Sequence, residues 1–332
     1  MKALLSHRAG GPESLVLEDV PEPAVGPGQV RIAVHACSVN YPDLLIIQDL
    51  YQDKPPRPFI PGGEVAGVVE AIGAGVDKVR PGDRVLMSPV RGGMAQKVVG
   101  AAAACWQIPD TMPFDEAAAL LLTYGTSQHA LQDRAQLRAG ETLLVLGAGG
   151  GVGLAAVELG KTLGARVVAA ASSAEKLALA RDRGADEIVQ YPPGSLDKSA
   201  ARALTDRFKA ACGAEGAQVI YDAVGGDYTE AALRAVSWQG RHLVVGFTAG
   251  IPKPPLNLAL LKGCQIIGVY WGEFINRSPS RHAANVSALM SLYREGRIKP
   301  AISERFPLQR AAEAIGRLGT REVRGKVVVM IE

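Results

Sequence analysis

A glycine-rich loop is the first segment of this sequence whose residue types and spacing could do chemistry. After an apolar run at residues 143–146, the chain reads Gly147-Ala148-Gly149-Gly150-Gly151-Val152-Gly153, and an amphipathic stretch follows. A strand, a glycine turn and a helix in this order are typical of dinucleotide sites, because glycine lets the backbone approach a pyrophosphate at the helix N-terminus. We predict cofactor contacts from Gly150, Gly151, Val152 and Gly153. Since Ala148 takes the first glycine position of the usual pattern, a turn that serves packing alone is the alternative.

The end of the next predicted strand indicates which nicotinamide cofactor would bind. Sites for NADH carry Asp or Glu there to bind the ribose 2′-hydroxyl, but this chain has Ala171 at that point, followed by two serines. Ser172 and Lys176 could bind a 2′-phosphate through charge-assisted hydrogen bonds. The sequence therefore predicts NADPH rather than NADH. Glu175 is a competing 2′-hydroxyl acceptor, and Lys176 could instead be a solvated helix residue.

The elements that must position these residues change in character along the chain. Short β-type segments separated by glycine and proline predict a β-rich, barrel-like unit, at residues 15–20, 30–39, 64–72, 83–87 and 94–99. From residue 141, strands alternate with helical stretches, which predicts a parallel sheet with crossover helices. Residues 114–131 are predicted to form a helix, with an interruption near Gly125, that crosses between the two domains. The tail from residue 279 is expected to return to the first domain.

Composition and charge exclude several classes of protein. The 332 residues include 36 basic and 33 acidic side chains, giving a net charge of +3, and no block of like charge suggests a nucleic-acid partner. The four cysteines are far apart, and no apolar run reaches the length of a membrane span. The apolar stretch near the N-terminus is too short for a secretory signal. We expect a cytoplasmic protein with no membrane segment.

Several short motifs occur in a specific order over nearly the whole chain. They are Asn40-Tyr41-Pro42-Asp43, Pro58-Phe59-Ile60-Pro61-Gly62-Gly63-Glu64, Gly82-Asp83-Arg84-Val85, the glycine loop, and Gly325-Lys326-Val327-Val328. With them the chain resembles the zinc-free quinone oxidoreductases of the medium-chain dehydrogenase/reductase superfamily. The resemblance implies an α/β fold, with a GroES-like β-rich catalytic domain at residues 1–122 completed by 272–332. It implies a Rossmann domain with a doubly wound parallel sheet at residues 123–271, and a homodimer.

Zinc alcohol dehydrogenases share this fold and are the natural alternative. Their catalytic zinc is held by a Cys and a His at positions that here correspond to Asn40 and Gly63, and their structural zinc needs a four-cysteine loop that this chain lacks. His35 and Cys37 are close in sequence and would share one face of an alternating strand. Two ligands without a third do not make a zinc site. We expect no metal.

A reductase without zinc needs hydrogen-bond donors to stabilise the negative oxygen that forms when hydride arrives. Asn40 can donate an amide N–H, and the resemblance places the equivalent Asn beside the nicotinamide; a simple turn residue is the alternative. The resemblance also implies that Tyr51 faces the substrate, where its phenol could donate a hydrogen bond or a proton. Tyr51 could equally be a loop aromatic that covers apolar surface. Tyr41, Trp271 and Phe274 are candidates to line a slot for a flat acceptor.

Further contacts with NADPH follow from the resemblance. It implies that Thr126 contacts phosphate, that Tyr191 lies near the adenosine phosphate, and that Lys326 contacts the cofactor. Gly246, Phe247 and Thr248 follow another predicted strand at its carboxyl end, where ligands collect in open α/β sheets. By the same analogy, residues 264–270 could form an edge strand that pairs with a second copy in a homodimer.

The function predicted from these residues is hydride transfer from NADPH to a quinone or another α,β-unsaturated carbonyl acceptor, without a metal. Such acceptors spread the arriving charge over a conjugated system and need less stabilisation than a simple ketone. Two alternatives stay open. One is an enoyl-thioester or haloacrylate reductase of the same fold, and the other is a non-catalytic NADPH-binding protein.

Overall fold

The computed structural model describes residues 1–88 and 91–332, which form two compact units. The first unit contains Met1–Leu122 and Pro300–Glu332, and the second contains Thr123–Lys299. The tail belongs to the first unit from Pro300, whereas the sequence interpretation placed its return at residue 272.

The segment that follows residue 272 belongs to the second unit, although the sequence interpretation assigned it to the first. Two contacts account for the difference. The Phe274 ring stacks on the His129 ring, with the ring centroids 3.9 Å apart. Arg281 donates a hydrogen bond to Asp133 at 2.7 Å. Neither contact has a local signal in the sequence.

The secondary structure of the described residues is as follows, in chain order. The strands are β1 (Lys2–Ser6), β2 (Leu15–Asp19), β3 (Gln29–Val39), β4 (Val65–Ile72), β5 (Arg84–Met87), β6 (Lys97–Ala101), β7 (Cys105–Gln107), β8 (Thr142–Leu146), β9 (Arg166–Ala171), β10 (Glu187–Gln190), β11 (Ala217–Asp222), β12 (Val236–Val244), β13 (Gln265–Gly268), β14 (Ile302–Pro307) and β15 (Lys326–Met330). The α-helices are α1 (Tyr41–Ile46), α2 (Phe114–Ala118), α3 (Thr126–Gln128), α4 (Gly151–Thr162), α5 (Ala174–Asp182), α6 (Lys198–Cys212), α7 (Gly226–Leu233), α8 (Asn257–Lys262), α9 (Trp271–Arg277), α10 (Pro279–Arg294) and α11 (Ala311–Arg317). Short 3₁₀ turns occur at Pro12–Ser14, Ala102–Ala104, Leu308–Arg310 and Leu318–Thr320.

The first unit is built on a seven-stranded sheet in the order β14-β15-β3-β4-β5-β7, with β6 also paired to β3. Strands β1 and β2 form a separate antiparallel pair. Strand β15 runs antiparallel to β3, with Val327 opposite Val39. This register brings the start of the last strand beside the end of β3. Lys326 and Asn40 thereby become neighbours although they are 286 residues apart in the chain.

The second unit contains a six-stranded parallel sheet in the order β10-β9-β8-β11-β12-β13. Strand β8 is buried along its whole length, which is typical of a parallel strand covered by helices on both faces. The strand order reverses between β8 and β11, and ligands of doubly wound sheets bind at such a reversal, outside the carboxyl ends of the strands. The alternation of strands and helices predicted this sheet.

The helix predicted over residues 114–131 is not continuous. After α2, the chain forms a π-helical segment at Leu121–Gly125, then α3, then a second π-helical segment at His129–Arg134. π-helical turns are often found at functional sites. The interruption lies near Gly125, where the sequence indicated one, but composition and spacing did not predict the π-helical segments or the Trp271 ring that packs on Gly125. Helix α1 was also missed, since its six residues are too few for a clear periodicity.

No helix within residues 1–88 and 91–332 is both long enough and apolar enough to cross a membrane.

Candidate functional site

The glycine loop of the second unit has a geometry that only glycine allows. Gly147 has a φ of +75°, and a methyl group on Gly153 would lie 2.1 Å from the carbonyl oxygen of Gly147. Gly150 caps the N-terminus of α4, and a methyl group on it would meet no other atom closer than 3.6 Å. Gly153 therefore serves the packing of the loop, whereas the protein itself leaves room for a side chain at Gly150.

Two residues that the sequence did not single out hold this loop in place. Ser127 donates a hydrogen bond from Oγ to the carbonyl oxygen of Val152 at 2.9 Å. The hydroxyl of Tyr221, which is fully buried on β11, lies 2.9 Å from the same Oγ. Because the only hydroxyl hydrogen of Ser127 is donated to Val152, Tyr221 is the donor in this second hydrogen bond. Burial raises the pKa of Tyr221 well above its usual value, so this phenol stays protonated. Thr126, a predicted phosphate contact, precedes Ser127 and is half-buried.

The predicted 2′-phosphate contacts lie beside the glycine loop. A methyl group on Gly149 would lie 2.5 Å from Cβ of Lys176, so the aliphatic part of that lysine runs along the loop. The backbone N–H of Lys176 donates to Ser173 Oγ at 3.4 Å, which caps α5. Ser172 is half-buried at the end of β9. The structure therefore brings Ser172, Lys176 and the glycine loop to one edge of the sheet.

The other predicted cofactor contacts of the second unit follow β10 and β12. Tyr191 is buried, with its ring 4.8 Å from that of Tyr228. Gly246 donates from its backbone N–H to Asp222 O at 3.2 Å, and Thr248 Oγ1 donates to Ala223 O at 3.4 Å. These bonds join the loop after β12 to the end of β11. Phe247, between them, is 46% exposed.

Asp222 organises the carboxyl end of β11, a role that the sequence did not reveal. Its Oδ1 accepts the backbone N–H groups of Val224 and Gly225, both at 2.9 Å, and its Oδ2 accepts the hydroxyl of Thr229 at 2.6 Å. Burial would raise the pKa of Asp222, but His242, 3.3 Å away, and these donors hold it below its usual value. An ionised carboxylate therefore fixes the loop beside Gly246.

In the first unit, Asn40 lies at the N-cap of α1 and is only 5% exposed. Its Oδ1 accepts a hydrogen bond from the Lys326 ammonium at 2.5 Å. Its Nδ2 lies 3.3 Å from Glu64 Oε2 and 3.1 Å from Ser38 Oγ. The carboxamide thus lies between a buried cation and a buried carboxylate. Neither Glu64 nor Ser38 was assigned a role from the sequence, although Gly62-Gly63-Glu64 was recognised as a motif.

A second carboxyl group completes this buried cluster. Asp43 accepts the backbone N–H of Asn40 at 2.8 Å and that of Gly62 at 3.1 Å. Burial raises the pKa of Asp43 to about 6, although these two donors oppose the shift. Burial also lowers the pKa of Lys326, against the attraction of Glu64 and Asp43. The sequence interpretation assigned Lys326 to the cofactor, which stays a prediction; the structure adds its bond to Asn40.

The remaining predicted site residues lie in different parts of the fold. Tyr51 is half-buried against the core of the first unit, and Tyr41 is 37% exposed at the start of α1. In the second unit Trp271 is buried and Phe274 stacks on the His129 ring with centroids 3.9 Å apart. Trp271 and Phe274 are thus brought together on α9. A slot shared with Tyr41 stays a prediction.

The pair His35 and Cys37 does not share a strand face as expected. A bulge between Val34 and Ala36 breaks the alternation of β3, so His35 is exposed and stacks on Phe114, whereas Cys37 is buried. Burial raises the pKa of the Cys37 thiol well above its usual value. In the part of the chain that the structure describes, no three His, Cys, Asp or Glu side chains are grouped to hold a metal ion.

Two family models match the chain. The alcohol dehydrogenase GroES-like domain matches residues 26–127, and the zinc-binding dehydrogenase model matches residues 151–289. A quinone oxidoreductase-like protein 2 homolog from Nematostella vectensis is 37% identical over 332 residues, which cover 99% of this chain and 88% of that protein. The chain belongs to the quinone oxidoreductase family of the medium-chain dehydrogenase/reductase superfamily.

Solved structures of this family are similar over the full length. A mycobacterial protein in complex with NADPH matches with a TM-score of 0.91 and 29% identity, over 99% of this chain and 100% of that one. Escherichia coli quinone oxidoreductase in complex with NADPH matches with a TM-score of 0.89 and 26% identity, over 99% and 100%. These similarities confirm the predicted family and the predicted fold class, a GroES-like domain with a Rossmann domain.

Proposed function

We propose that this protein is an NADPH-dependent oxidoreductase that transfers hydride to a quinone or another α,β-unsaturated carbonyl acceptor without a metal. The observation that carries the proposal is the buried carboxamide of Asn40, 2.5 Å from the Lys326 ammonium. Zinc-containing members of the superfamily have a metal ligand at the corresponding position. Here an amide, a donor of hydrogen bonds, stands in its place next to a fixed positive charge.

The residues of the second unit fit NADPH. Gly150 is the N-cap of α4 and has no side chain to cap the helix, so the backbone N–H groups at this N-terminus are suited to bind a pyrophosphate. The end of β9 has no carboxylate to repel a 2′-phosphate, and Ser172 and Lys176 lie beside the loop. NADPH, when bound, supplies the hydride. Thr126, Tyr191, Phe247 and Thr248 are proposed as further contacts.

The acceptor requires stabilisation of the oxygen that becomes negative. A conjugated acceptor spreads this charge, so neutral donors are sufficient to stabilise it. We assign one donor to the amide of Asn40 and a second to the phenol of Tyr51. Tyr41, Trp271 and Phe274 are proposed to contact the flat ring of the acceptor. This chemistry favours quinones and enones over saturated ketones.

The test compares cofactors and acceptors with purified protein. We expect NADPH oxidation with a quinone and an enone, little with NADH, and activity that persists after treatment with a chelator. An enoyl-CoA thioester and a haloacrylate included in the panel would reveal the alternative reductases. Tight NADPH binding without turnover of any acceptor would contradict the proposal and favour a binding protein.

A variant of Lys176 tests the cofactor assignment separately. Lys176→Glu should raise the KM for NADPH by about 10- to 100-fold, because a charge-assisted hydrogen bond of roughly 1.5–3 kcal/mol is replaced by repulsion. The KM for NADH should change little. Lys198→Glu, at an exposed position of the same unit, is the matched control. Equal use of NADH and NADPH by the unmodified protein would contradict the assignment.

We also propose that the protein forms a homodimer through β13. This strand is the last in the sheet order, and the large apolar side chains near it are exposed: Trp238, Leu260, Leu261, Ile266 and Tyr270. An apolar sheet edge is a template for pairing with a second copy about a two-fold axis. The four cysteines are free, which fits the cytoplasmic location that we propose.

A further inference from the structure

Asn40 is held from two sides by charged groups of opposite sign. We propose that Glu64 and Lys326 are positioning residues, which fix the Asn40 carboxamide so that one of its two N–H groups remains for the oxygen of the acceptor. The inference rests on the proposed function, in which Asn40 meets the acceptor. It adds two residues to which neither the motifs nor the family assignment gives this role.

The chemistry of the two partners determines which way the carboxamide faces. An ammonium group can only donate hydrogen bonds, so the Asn40 atom 2.5 Å from Lys326 Nζ must be the oxygen. A carboxylate can only accept, so the atom 3.3 Å from Glu64 Oε2 must be the nitrogen. The reverse orientation would place two donors together and two acceptors together. The pair therefore excludes a flip of the side chain.

The contacts of Nδ2 leave one hydrogen weakly bound. Ser38 Oγ donates to Glu64 Oε2 at 2.5 Å, so these two atoms are adjacent and lie in one direction from the Asn40 nitrogen. The two hydrogens of a planar amide diverge, so this pair of acceptors engages only one of them. The other contact of the nitrogen is the backbone oxygen of Ser38 at 3.4 Å, the longest of its three contacts, and a neutral carbonyl is a weaker acceptor than a carboxylate. A ligand oxygen could replace that weak contact.

Both positioning residues are themselves anchored to the main chain. Glu64 Oε1 accepts the backbone N–H of Leu122 at 2.9 Å, so the carboxylate cannot rotate freely. Lys326 Nζ also donates to Val39 O at 3.1 Å, and the pairing of β15 with β3 fixes its backbone. The cation beside Oδ1 withdraws electron density from the amide, which strengthens its N–H groups as donors. The arrangement can thus orient and polarise Asn40 at once.

Stability alone does not explain a buried charge pair of this kind. Burying an ammonium and a carboxylate costs desolvation energy, and apolar or neutral replacements of similar volume are often as stable or more stable. Removing only one partner, by contrast, leaves an unpaired buried charge and destabilises the fold strongly. A structural role and a positioning role therefore differ in what a double replacement does.

The experiment compares Glu64→Gln, Lys326→Met and the double variant. The single variants should melt at lower temperature than the unmodified protein, and the double variant should recover most of that loss. In all three, kcat/KM for the quinone should fall by on the order of 10²-fold, the effect of removing one donor to a developing oxyanion. For Glu64→Gln, which replaces no predicted cofactor contact, the Kd for NADPH, measured by fluorescence, should stay close to its original value. Glu70→Gln, on the surface of the same sheet, is the control.

A second comparison tests whether Glu64 acts through Asn40. In an Asn40→Ala background, Glu64→Gln should cause no further loss of kcat/KM, because the group that it positions is gone. Recovery of both stability and kcat/KM in the double variant Glu64→Gln/Lys326→Met would overturn the proposal, as would additive losses in the Asn40→Ala background. If the unmodified protein turns over no acceptor, the proposed function fails first, and this inference fails with it.

Discussion

Alanine at Gly153 and alanine at Gly150 should have different effects, although both residues belong to one loop. At Gly153 the new methyl group would lie 2.1 Å from Gly147 O and 2.8 Å from Ala148 Cα, so the loop or α4 must shift. Overpacking of this kind costs about 1–3 kcal/mol. At about 2–4 °C per kcal/mol for a unit of this size, we expect a fall in Tm of about 2–12 °C. NADPH affinity should fall as well, because the shifted loop no longer fits the pyrophosphate.

At Gly150 the backbone is extended, with φ −90° and ψ 169°, a conformation open to any residue. The methyl group would meet only Gly147 O, at 3.6 Å, which is an ordinary contact. We therefore expect Gly150→Ala to keep the original Tm within about 2 °C. It should still weaken NADPH binding by about tenfold or more, a loss of roughly 1.4 kcal/mol, because the methyl group occupies the approach to the helix N-terminus.

Differential scanning fluorimetry and NADPH fluorescence titration on the same preparations measure both quantities. Gly150→Ala and Gly153→Ala serve as controls for each other, because they add the same methyl group to the same loop. If Gly150→Ala lost as much Tm as Gly153→Ala, the packing analysis would be wrong. If Gly150→Ala bound NADPH as tightly as the unmodified protein, the pyrophosphate would not lie at this helix terminus.

Three further outcomes follow from the structure. Ile266→Lys places a charge on the exposed face of β13 and should convert the dimer to monomer in sedimentation velocity; a dimer of unchanged stability would contradict the proposed interface. Because burial raises the pKa of Asp43 to about 6, this carboxyl stabilises the fold below pH 4, and the contribution is lost as the pH rises through 6. Between pH 4 and pH 6 the Tm of Asp43→Asn should therefore rise relative to the Tm of the unmodified protein. A Tm difference that stays constant over this pH range would refute the raised pKa of Asp43. Glu158→Gln removes the carboxylate that accepts from Arg183 at 2.7 Å, and should lower the free energy of unfolding in urea by about 2 kcal/mol; an unchanged unfolding midpoint would show that this pair contributes nothing.

The sequence predicted best those elements whose determinants are local. Strand β8 is a continuous apolar run and α4 begins directly after the glycines, so both were predicted within a residue or two. The π-helical segment Leu121–Gly125 was not predicted, because apolar spacing does not distinguish it from an α-helix and the Trp271 ring that packs on Gly125 comes from a distant helix. The domain boundary predicted at residue 272 differs from the observed one because Phe274 and Arg281 contact residues about 145 positions earlier in the chain. Long-range packing, which leaves no periodic signal, decided these cases.

The same distinction holds for the candidate site. The glycine loop, Ser172 and Lys176 are close in sequence, and the structure brings them together as expected. The cluster around Asn40 joins residues that are 24 and 286 positions apart. Its signal was present in two motifs, Gly62-Gly63-Glu64 and Gly325-Lys326. Only the pairing of β15 with β3 shows that Glu64 and Lys326 of these two motifs both contact the side-chain amide of Asn40.

The charges around Asn40 also limit which acceptors the site can serve. A zinc ion brings a net positive charge to the substrate oxygen and can polarise a simple carbonyl. The Lys326 ammonium lies 3.8 Å from the Glu64 carboxylate, so this ion pair has no net charge. We propose that it acts by orienting the Asn40 amide and not by adding positive charge. A directed N–H donor stabilises an oxygen less than a metal ion does. In the reaction that we propose, the acceptor therefore has to delocalise part of the charge itself, and we expect conjugated carbonyl compounds to be reduced in preference to saturated ketones.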